Sequence, residues 1–307
     1  TDFYHCLLLT LKIHLSHNFK IFVKMKSILL PTDFSKISLN AIDYTMELFR
    51  NEECEFYFLN IQKASSFVSD DLMTMSSSAT IYQTIIDTAQ KSIKNVINTL
   101  TAHYKNNKHS FYSVVDYDNF IDGINQICSA KSIDLIIMGT KGATGAERVL
   151  FGSNTVRVMQ RCHTPVLAIP ENCKYQDIDK IVFTSDYLSQ YKTKELQSLF
   201  TIASLFDAKI DVLHLTKDEK LSATQKKNKA YLDKIFQGLT HEFVDVEDEE
   251  LFKTVQNYVD SNNIKLVAMS SRKYSFLDRL FTRHNVEKFG FNIHIPYLVM
   301  EDTGENK

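Results

Sequence analysis

The feature that most constrains this 307-residue chain is an internal repeat. Residues 28–33 (ILLPTD) reappear as residues 181–186 (IVFTSD), at an offset of 153 positions. Nearer the end of each copy, residues 165–167 (PVL) correspond to residues 296–298 (PYL) at an offset of 131, so the second copy is 22 residues shorter. The missing piece corresponds to a serine-rich stretch near residues 64–80, which we interpret as a loop. A duplicated unit predicts two domains that pair within one chain as a pseudo-dimer.

Each copy alternates short apolar segments with longer amphipathic ones. The run IDLIIM at residues 133–138 is almost entirely apolar, which is typical of a strand buried on both faces of a parallel sheet. Residues 41–49 place apolar side chains at helical spacing, and Ser35 precedes them as a candidate N-cap. The resulting order β-α-β-α-β-α-β-α-β predicts an α/β fold of two tandem open sandwiches, each a five-stranded parallel sheet with helices on both faces.

The first 24 residues do not share this pattern. Their apolar run, Leu7 to Leu11, is too short to span a bilayer and is followed by charged residues. Met25 stands directly before the first strand candidate. We therefore expect residues 1–24 to be an upstream or non-native extension, residues 25–173 to form the first domain, and residues 174–307 to form the second.

The charge and cysteine content of the chain argue against some classes of binding partner. The chain has 35 lysine and arginine residues against 37 aspartate and glutamate residues, which gives a formal net charge of −2. This balance argues against nucleic-acid binding that relies on bulk positive charge. The five cysteines include no Cys-x-x-Cys pair, which argues against a disulfide framework or a zinc site. We expect a cytoplasmic protein with no nucleic-acid partner and no membrane partner.

The glycines are concentrated in one short stretch, since four of the eight lie between residues 139 and 152. Gly139 ends a predicted buried strand, at the edge where open parallel sheets bind ligands. Gly142 lets backbone N–H groups approach an anion without interference from a Cβ. Residues 152–155 (GSNT) open the next predicted helix, so N–H groups, hydroxyls and the positive end of the helix dipole meet there. This pattern predicts a phosphate site, although an N-cap role alone would also account for Ser153 or Asn154.

Three segments together resemble the universal stress protein family. They are PTDFS at residues 31–35, a second strand that ends in Asn60-Ile61, and the spacing G-x₂-G-x₉-G-S before a helix. The resemblance covers about residues 25–302 as a tandem pair of domains. It implies a sandwich similar to the adenine-nucleotide α-hydrolases, and it implies ATP with Mg²⁺ as the ligand.

The resemblance also implies a role for each matching residue. Asp33 would face the ribose and adenine, the backbone of Ile61 would meet the adenine edge, and Gly139 would lie against the ribose. The phosphates would be held by Gly142, Gly152, Ser153 and Thr155. The complete expected set is Pro31, Thr32, Asp33, Ile61, Met138, Gly139, Lys141, Gly142, Gly152, Ser153, Asn154 and Thr155. Many family members have His where this chain has Asn60, a departure with little consequence if the backbone of Ile61 does the binding.

The second copy departs much further from the glycine pattern. Its glycine positions are occupied by Ser270, Lys273 and Arg283, with His284 in place of the serine. Long side chains there would fill the phosphate space, so we predict that this half binds no nucleotide. Asp186 is expected to cap the helix that follows it, and His214 to be hydrogen-bonded by neighbouring backbone.

These observations favour an ATP-binding stress-response or signalling module that holds its nucleotide in the first domain only. An unidentified protein partner and a homodimer are both compatible with this interpretation. One alternative is a slow ATPase or autophosphorylating enzyme that uses Ser153 or Thr155, although no general base is visible beside them. A second alternative is a nucleotide-free scaffold. We assign no catalytic residue and no metal ligand.

Overall fold

The computed structural model describes residues 25–62, 78–117, 119–140, 151–216, 220–247, 251–271 and 294–301. The strands in these ranges are β1 (Ser27–Pro31), β2 (Cys54–Ile61), β3 (His109–Asp116), β4 (Leu135–Gly139), β5 (Val166–Ile169), β6 (Lys180–Thr184), β7 (Lys209–Thr216), β8 (His241–Glu247), β9 (Leu266–Ser270) and β10 (Tyr297–Met300). The helices are α1 (Lys36–Leu48), α2 (Ser78–Tyr104), α3 (Phe120–Lys131), α4 (Ser153–Arg161), α5 (Gln197–Leu205), α6 (Ala223–Ile235) and α7 (Leu251–Ser261). None of these helices is long and apolar enough to cross a membrane.

All ten strands form one sheet in the order β3-β2-β1-β4-β5-β10-β9-β6-β7-β8. Strands within each half are parallel, which confirms the predicted α/β fold class. The two halves are joined by the antiparallel pairing of β5 with β10. In that pairing Leu167 lies opposite Leu298, its own equivalent in the repeat. A local twofold axis therefore passes through this residue pair, as in an isologous dimer interface.

Helices cover both faces of the sheet. Successive strand residues point to opposite faces, so Ile28 and Leu30 join one core while Leu29 joins the other. Helices α1, α2, α5 and α6 pack on the first face, and α3, α4 and α7 pack on the second. This double burial explains why the strand sequences are almost continuously apolar.

The repeat extends to individual hydrogen bonds beyond the first strand of each half. Thr32 donates its N–H to Leu59 O at 2.8 Å, and Ser185 donates its N–H to Leu213 O at 3.0 Å. These four residues are matched by the sequence offsets. The backbone at the ends of β1 and β6 is therefore built in the same way.

The helix after the first strand differs between the halves. In the first half Ser35 accepts a hydrogen bond from Ser38 N and caps α1, as predicted. In the second half α5 begins only at Gln197, so the first two turns of the equivalent helix are missing. The expectation that Asp186 caps this helix is therefore wrong. Its carboxylate accepts a hydrogen bond from Leu188 N at 3.0 Å instead and closes a turn.

Several expectations concern residues outside the described ranges. They include the extension at residues 1–24 and most of the serine-rich loop. The loop was expected to extend to residue 80, but the structure shows that α2 begins at Ser78.

Candidate functional site

The expected site residues of the first half converge where the strand order reverses. β1 lies between β2 and β4, and the chain crosses to β2 on one side and later to β4 and β5 on the other. Ligands of open α/β sheets bind beyond the carboxyl ends of the strands at such a switch point. Pro31, Ile61 and Gly139 are the last residues of the three strands there, and Met138 is buried just before the end of β4.

The loop between β1 and α1 presents one carboxylate at the surface. Thr32 is buried, and its hydroxyl accepts a hydrogen bond from Phe34 N at 3.0 Å and lies 3.0 Å from the Ser38 hydroxyl. Asp33 is exposed, and its Oδ1 accepts a hydrogen bond from Ser35 N at 3.1 Å. These bonds fix the loop, so the Asp33 carboxylate stands at a defined place at the mouth of the switch point.

At the end of β2, the backbone edge of Ile61 faces this space. Gln62 donates its N–H to Asp116 O at 2.9 Å, so the residues that flank Ile61 bond to β3. The N–H and C=O of Ile61 consequently face the side of β1. β1 ends at Pro31, which pairs with Leu59, so the edge of Ile61 points into the space beyond β1.

Asn60 is part of the framework of the site. Its side-chain amide donates to Thr32 O at 2.7 Å, and its Oδ1 accepts a hydrogen bond from Gln62 Nε2 at 2.6 Å. Asn60 is buried, so these bonds satisfy it within the fold. It therefore links the ends of β1 and β2, and the expected contact of the Ile61 backbone with an adenine stays a prediction.

Gly139 has a packing reason to be glycine, which the sequence pattern did not reveal. A Cβ at this position would lie 2.5 Å from Ile37 Cγ2 and 3.1 Å from Ile37 O. The first turn of α1 therefore rests directly on the end of β4. The expected contact of Gly139 with a ribose stays a prediction.

The N-terminus of α4 carries no side-chain cap. Gly152 is the N-cap, and Ser153 and Asn154 are the first two helical residues, so neither is the N-cap that the alternative interpretation proposed. The first intrahelical bond runs from Val156 N to Gly152 O at 3.0 Å. Because the bonds of a helix run four residues back, the N–H groups of residues 153–155 have no partner within α4.

Two hydrogen bonds hold this helix end against β4. Thr155 is buried and donates its hydroxyl to Gly139 O at 2.9 Å, while Gly152 donates its N–H to Thr140 O at 2.6 Å. Ser153 and Asn154 are exposed beside them. The expected phosphate residues Lys141 and Gly142 lie outside the described residues. The described part of the site thus offers backbone donors and a helix dipole that suit an anion.

The same place in the second half is filled by side chains. The ring of Tyr187, only 1% exposed, lies 4.7 Å from the imidazole of His214. His214 Nδ1 is 3.0 Å from Asp245 Oδ1, so its partner is a carboxylate and the expected backbone partner is wrong. Lys229 from α6 contacts Asp245 Oδ2 at 3.1 Å and lies over the Tyr187 ring at 5.5 Å.

The electrostatics of this cluster are internally balanced. Partial burial pushes the pKa of Asp245 upward, but hydrogen bonds from Lys229 and His214 outweigh it and hold the pKa below its usual value. Burial, with the nearby negative charge of Asp245, raises the pKa of Tyr187, so the phenol keeps its proton. Sequence reasoning found His214 but missed Asp245 and Lys229, because only strand pairing and the approach of α6 bring them together.

Among the described residues, no group of three or more His, Cys, Asp or Glu side chains is arranged to hold a metal ion.

Comparison with known proteins identifies the family. The sequence model described as the universal stress protein family matches residues 24–170. A universal stress protein of Methanocaldococcus jannaschii is 30% identical over 149 residues, which span 47% of this chain and 81% of that protein. A second one from the same organism is 24% identical over 158 residues, or 48% of this chain and 96% of that protein. The crystal structure of a universal stress protein from Archaeoglobus fulgidus shares the fold across both halves, with a TM-score of 0.59, 15% identity, and coverage of 92% of this chain and 98% of that one. The chain belongs to the universal stress protein family.

Proposed function

We propose that the first half, residues 25–173, binds ATP with Mg²⁺ and that the protein acts as a nucleotide-dependent module in a stress response. The second half, residues 174–307, is a degenerate domain of the same type that binds no nucleotide. Its role is to pair with the first half and to present a surface to a protein partner. The four described cysteines are buried and form no disulfide with one another, which is compatible with the reducing, cytoplasmic location that we propose.

The observation that carries this proposal is the uncapped N-terminus of α4 beside the switch point. Its first-turn N–H groups and helix dipole suit the phosphates. The free edge of Ile61 is a donor and acceptor pair of the kind that an adenine edge requires. Asp33 stands at the same strand ends and offers a carboxylate to ribose hydroxyls.

The second half lacks this opening among its described residues. Tyr187 and His214 occupy the space beside the end of β6, and the pair is closed off by α6. Asn228 of that helix donates to Tyr187 O at 2.8 Å, and Gln225 donates to Asp186 O at 3.0 Å. A nucleotide would have to displace all of these contacts, which supports one site per chain.

Calorimetric titration of MgATP tests the proposal, with wild type beside Ser153→Asp. An acidic residue in the first turn of a helix stabilises the helix, so Ser153→Asp should fold at least as well as wild type. The same carboxylate would repel the phosphates, so ATP affinity should fall by about tenfold or more. Wild type should bind one ATP per chain.

Ala223→Asp is the matched control, because it places the same charge in the first turn of α6 in the other half. It should leave ATP affinity unchanged. Absence of saturable ATP binding to wild type would contradict the proposal, as would equal affinity in wild type and Ser153→Asp. Phosphate release measured on the same samples separates a binding module from the slow ATPase alternative.

A further inference from the structure

A cavity of about 380 Å³ lies between the two halves, and none of its described lining residues belongs to the expected nucleotide site. Its described lining comes from the middle of α1, from the segment that connects the halves, and from the residues around β9 and β10. The lining residues are Tyr44, Asn172, Cys173, Lys174, Gln176, Lys265, His294, Ile295 and Pro296. Pockets that bind small molecules have volumes of about 300–1,000 Å³, so this one is large enough for a compact ligand.

We propose that this interdomain cavity is a binding site for a small polyanion, such as a compact phosphate ester or a polycarboxylate. The inference is independent of the nucleotide site proposed above. It rests on the shape of the cavity, on the charge of its walls, and on the way hydrogen bonds hold those walls in place.

The charge of the walls favours an anion. Lys174 and Lys265 contribute ammonium groups, His294 contributes an imidazole, and no described lining residue is acidic. Burial and the neighbouring Cys173 raise the pKa of Tyr44, so its hydroxyl is a neutral donor. The amides of Asn172 and Gln176 add further donors. A chain whose net charge is −2 has no general surplus of positive charge, so this local excess is a feature of the cavity.

Asp177, which follows the lining residue Gln176, carries a carboxylate that is already engaged. Asp177 accepts a hydrogen bond from the Tyr175 hydroxyl at 2.8 Å and lies 3.6 Å from the guanidinium of Arg50. Its charge is therefore compensated outside the cavity. Tyr175 in turn packs edge-on against Tyr44 at 5.5 Å, which fixes one wall.

Hydrogen bonds hold the rest of the wall in place. Asn40 of α1 donates to Pro170 O at 3.2 Å and to Cys173 O at 3.1 Å, which ties the connecting segment to the helix. Lys265 donates to Gln176 Oε1 at 2.8 Å and to Asn263 Oδ1 at 2.9 Å. Both acceptors are neutral, so the ammonium group keeps its charge and one further N–H for a ligand.

The test uses pyrophosphate and citrate as probes, titrated calorimetrically into the full chain at about 0.15 M ionic strength, where remote surface charges are screened. The double variant Lys174→Gln, Lys265→Gln removes two positive charges from the cavity. It should weaken binding by about tenfold or more, since charge-assisted hydrogen bonds are lost. A preference for pyrophosphate identifies the phosphate class, and a preference for citrate identifies the carboxylate class.

The matched control is Lys226→Gln, Lys234→Gln, which removes the same charge from exposed positions on α6. It should change affinity by less than about twofold. The proposal is overturned if neither probe binds wild type saturably, or if both double variants weaken binding equally. It is also overturned if Ser153→Asp abolishes binding while the cavity variant retains it, because the anion would then occupy the first-half cleft.

Discussion

The two halves of this protein share a backbone and differ in what occupies the space beyond the first strand. In the first half Asn60 bonds to the loop below it and leaves the backbone edge of Ile61 open. In the second half His214 stacks with Tyr187, and the space is closed. The same strand order thus carries different side chains beyond the first strand of each half.

The difference extends to the helix that follows. The first turn of α1 packs Ile37 against the end of β4, and only glycine fits opposite it. The second half lacks that turn, and its equivalent of Gly139 is Ser270, buried without needing to be glycine. The second half can therefore have serine at this position because the helix turn that would press against it, far away in sequence, is missing.

The opposite ends of the strands differ as well. Tyr57 in β2 donates its hydroxyl to Glu55 and stacks on Tyr112 at 4.8 Å. The equivalent of Tyr57 in β7 is Asp211, which is fully buried. The first half therefore fills this position with an aromatic ring, and the second half fills it with a charge.

The largest expected effect comes from removing that charge. Lys180 Nζ lies 3.2 Å from Asp211 Oδ2 and Lys209 Nζ lies 3.3 Å from Oδ1, near enough to pair but without hydrogen-bond geometry for Lys209. Asp211→Ala would remove this counter-charge from Lys180 and the acceptor of the Tyr258 hydroxyl, while Lys209 keeps its ion pair with Glu242. We expect a cost of about 3 kcal/mol, because the ammonium groups are only partly buried. Urea unfolding followed by circular dichroism measures this loss.

The matched change in the first half is Tyr57→Phe, which removes one hydrogen bond and should cost about 0.5 kcal/mol. If the two variants unfold at the same urea concentration, the buried charge of the second half does not have the structural role assigned to it.

The next effect tests the contact that distinguishes α1 from α5. Gly139→Ala forces a Cβ against Ile37 and should destabilise the protein by about 2 kcal/mol. Ile37→Ala removes the Cγ2 atom that the new Cβ would meet. In that background, Gly139→Ala should therefore destabilise the protein by about 1 kcal/mol less than it does in wild type. Urea midpoints of the four proteins in this cycle give the coupling. Additive effects would mean that α1 moves freely away from β4.

Much of this architecture could be predicted from the sequence, because it depends on local patterns. The repeat gave the two halves, and apolar runs located strands such as β4 to within two residues. The pairing of β5 with β10 could not be predicted, since it depends on how two complete sheets meet. The late start of α5 was also missed, because residues 189–196 align with residues 36–43 of the helix in the other copy.

The places of two motif residues could be predicted, since Ile61 ends β2 and Gly152 stands at the start of α4, while their contacts with a ligand stay predictions. The roles of side chains were less accessible. Thr155 was expected to hold a phosphate, and the structure shows its hydroxyl bonded to Gly139 O, so the phosphate contact stays a prediction. Asp245 carries no motif at all. It becomes relevant only because β8 pairs in register with β7 beside His214.

A smaller effect distinguishes the hydroxyl groups of two tyrosines of the second half, Tyr187 and Tyr258. The Tyr187 hydroxyl is buried and has no hydrogen-bond partner within the described residues. Removing it in Tyr187→Phe should therefore stabilise the protein by about 0.5 kcal/mol. The Tyr258 hydroxyl donates to Asp211 at 2.8 Å, so Tyr258→Phe should destabilise it by about 1.5 kcal/mol. Thermal or urea unfolding measures whether each variant is more or less stable than wild type. Destabilisation by Tyr187→Phe would mean that the Tyr187 hydroxyl does have a hydrogen-bond partner.

The smallest effect concerns the carboxylate that holds the filled cleft closed. Because the folded-state pKa of Asp245 is lowered, its stabilisation is present above its unfolded pKa of about 3.9 and is lost as the pH falls through the folded value. Its side chain is 47% exposed, so screening limits the gain to about 0.5 kcal/mol. Asp245→Asn should therefore be less stable than wild type at pH 6, and the difference should shrink as the pH falls below about 3.9. In a Lys229→Gln background the difference at pH 6 should shrink, because the leading partner has gone. A difference that persists unchanged at pH 3 would show that Asp245 acts through packing, and the cleft of the second half would then be closed by shape alone.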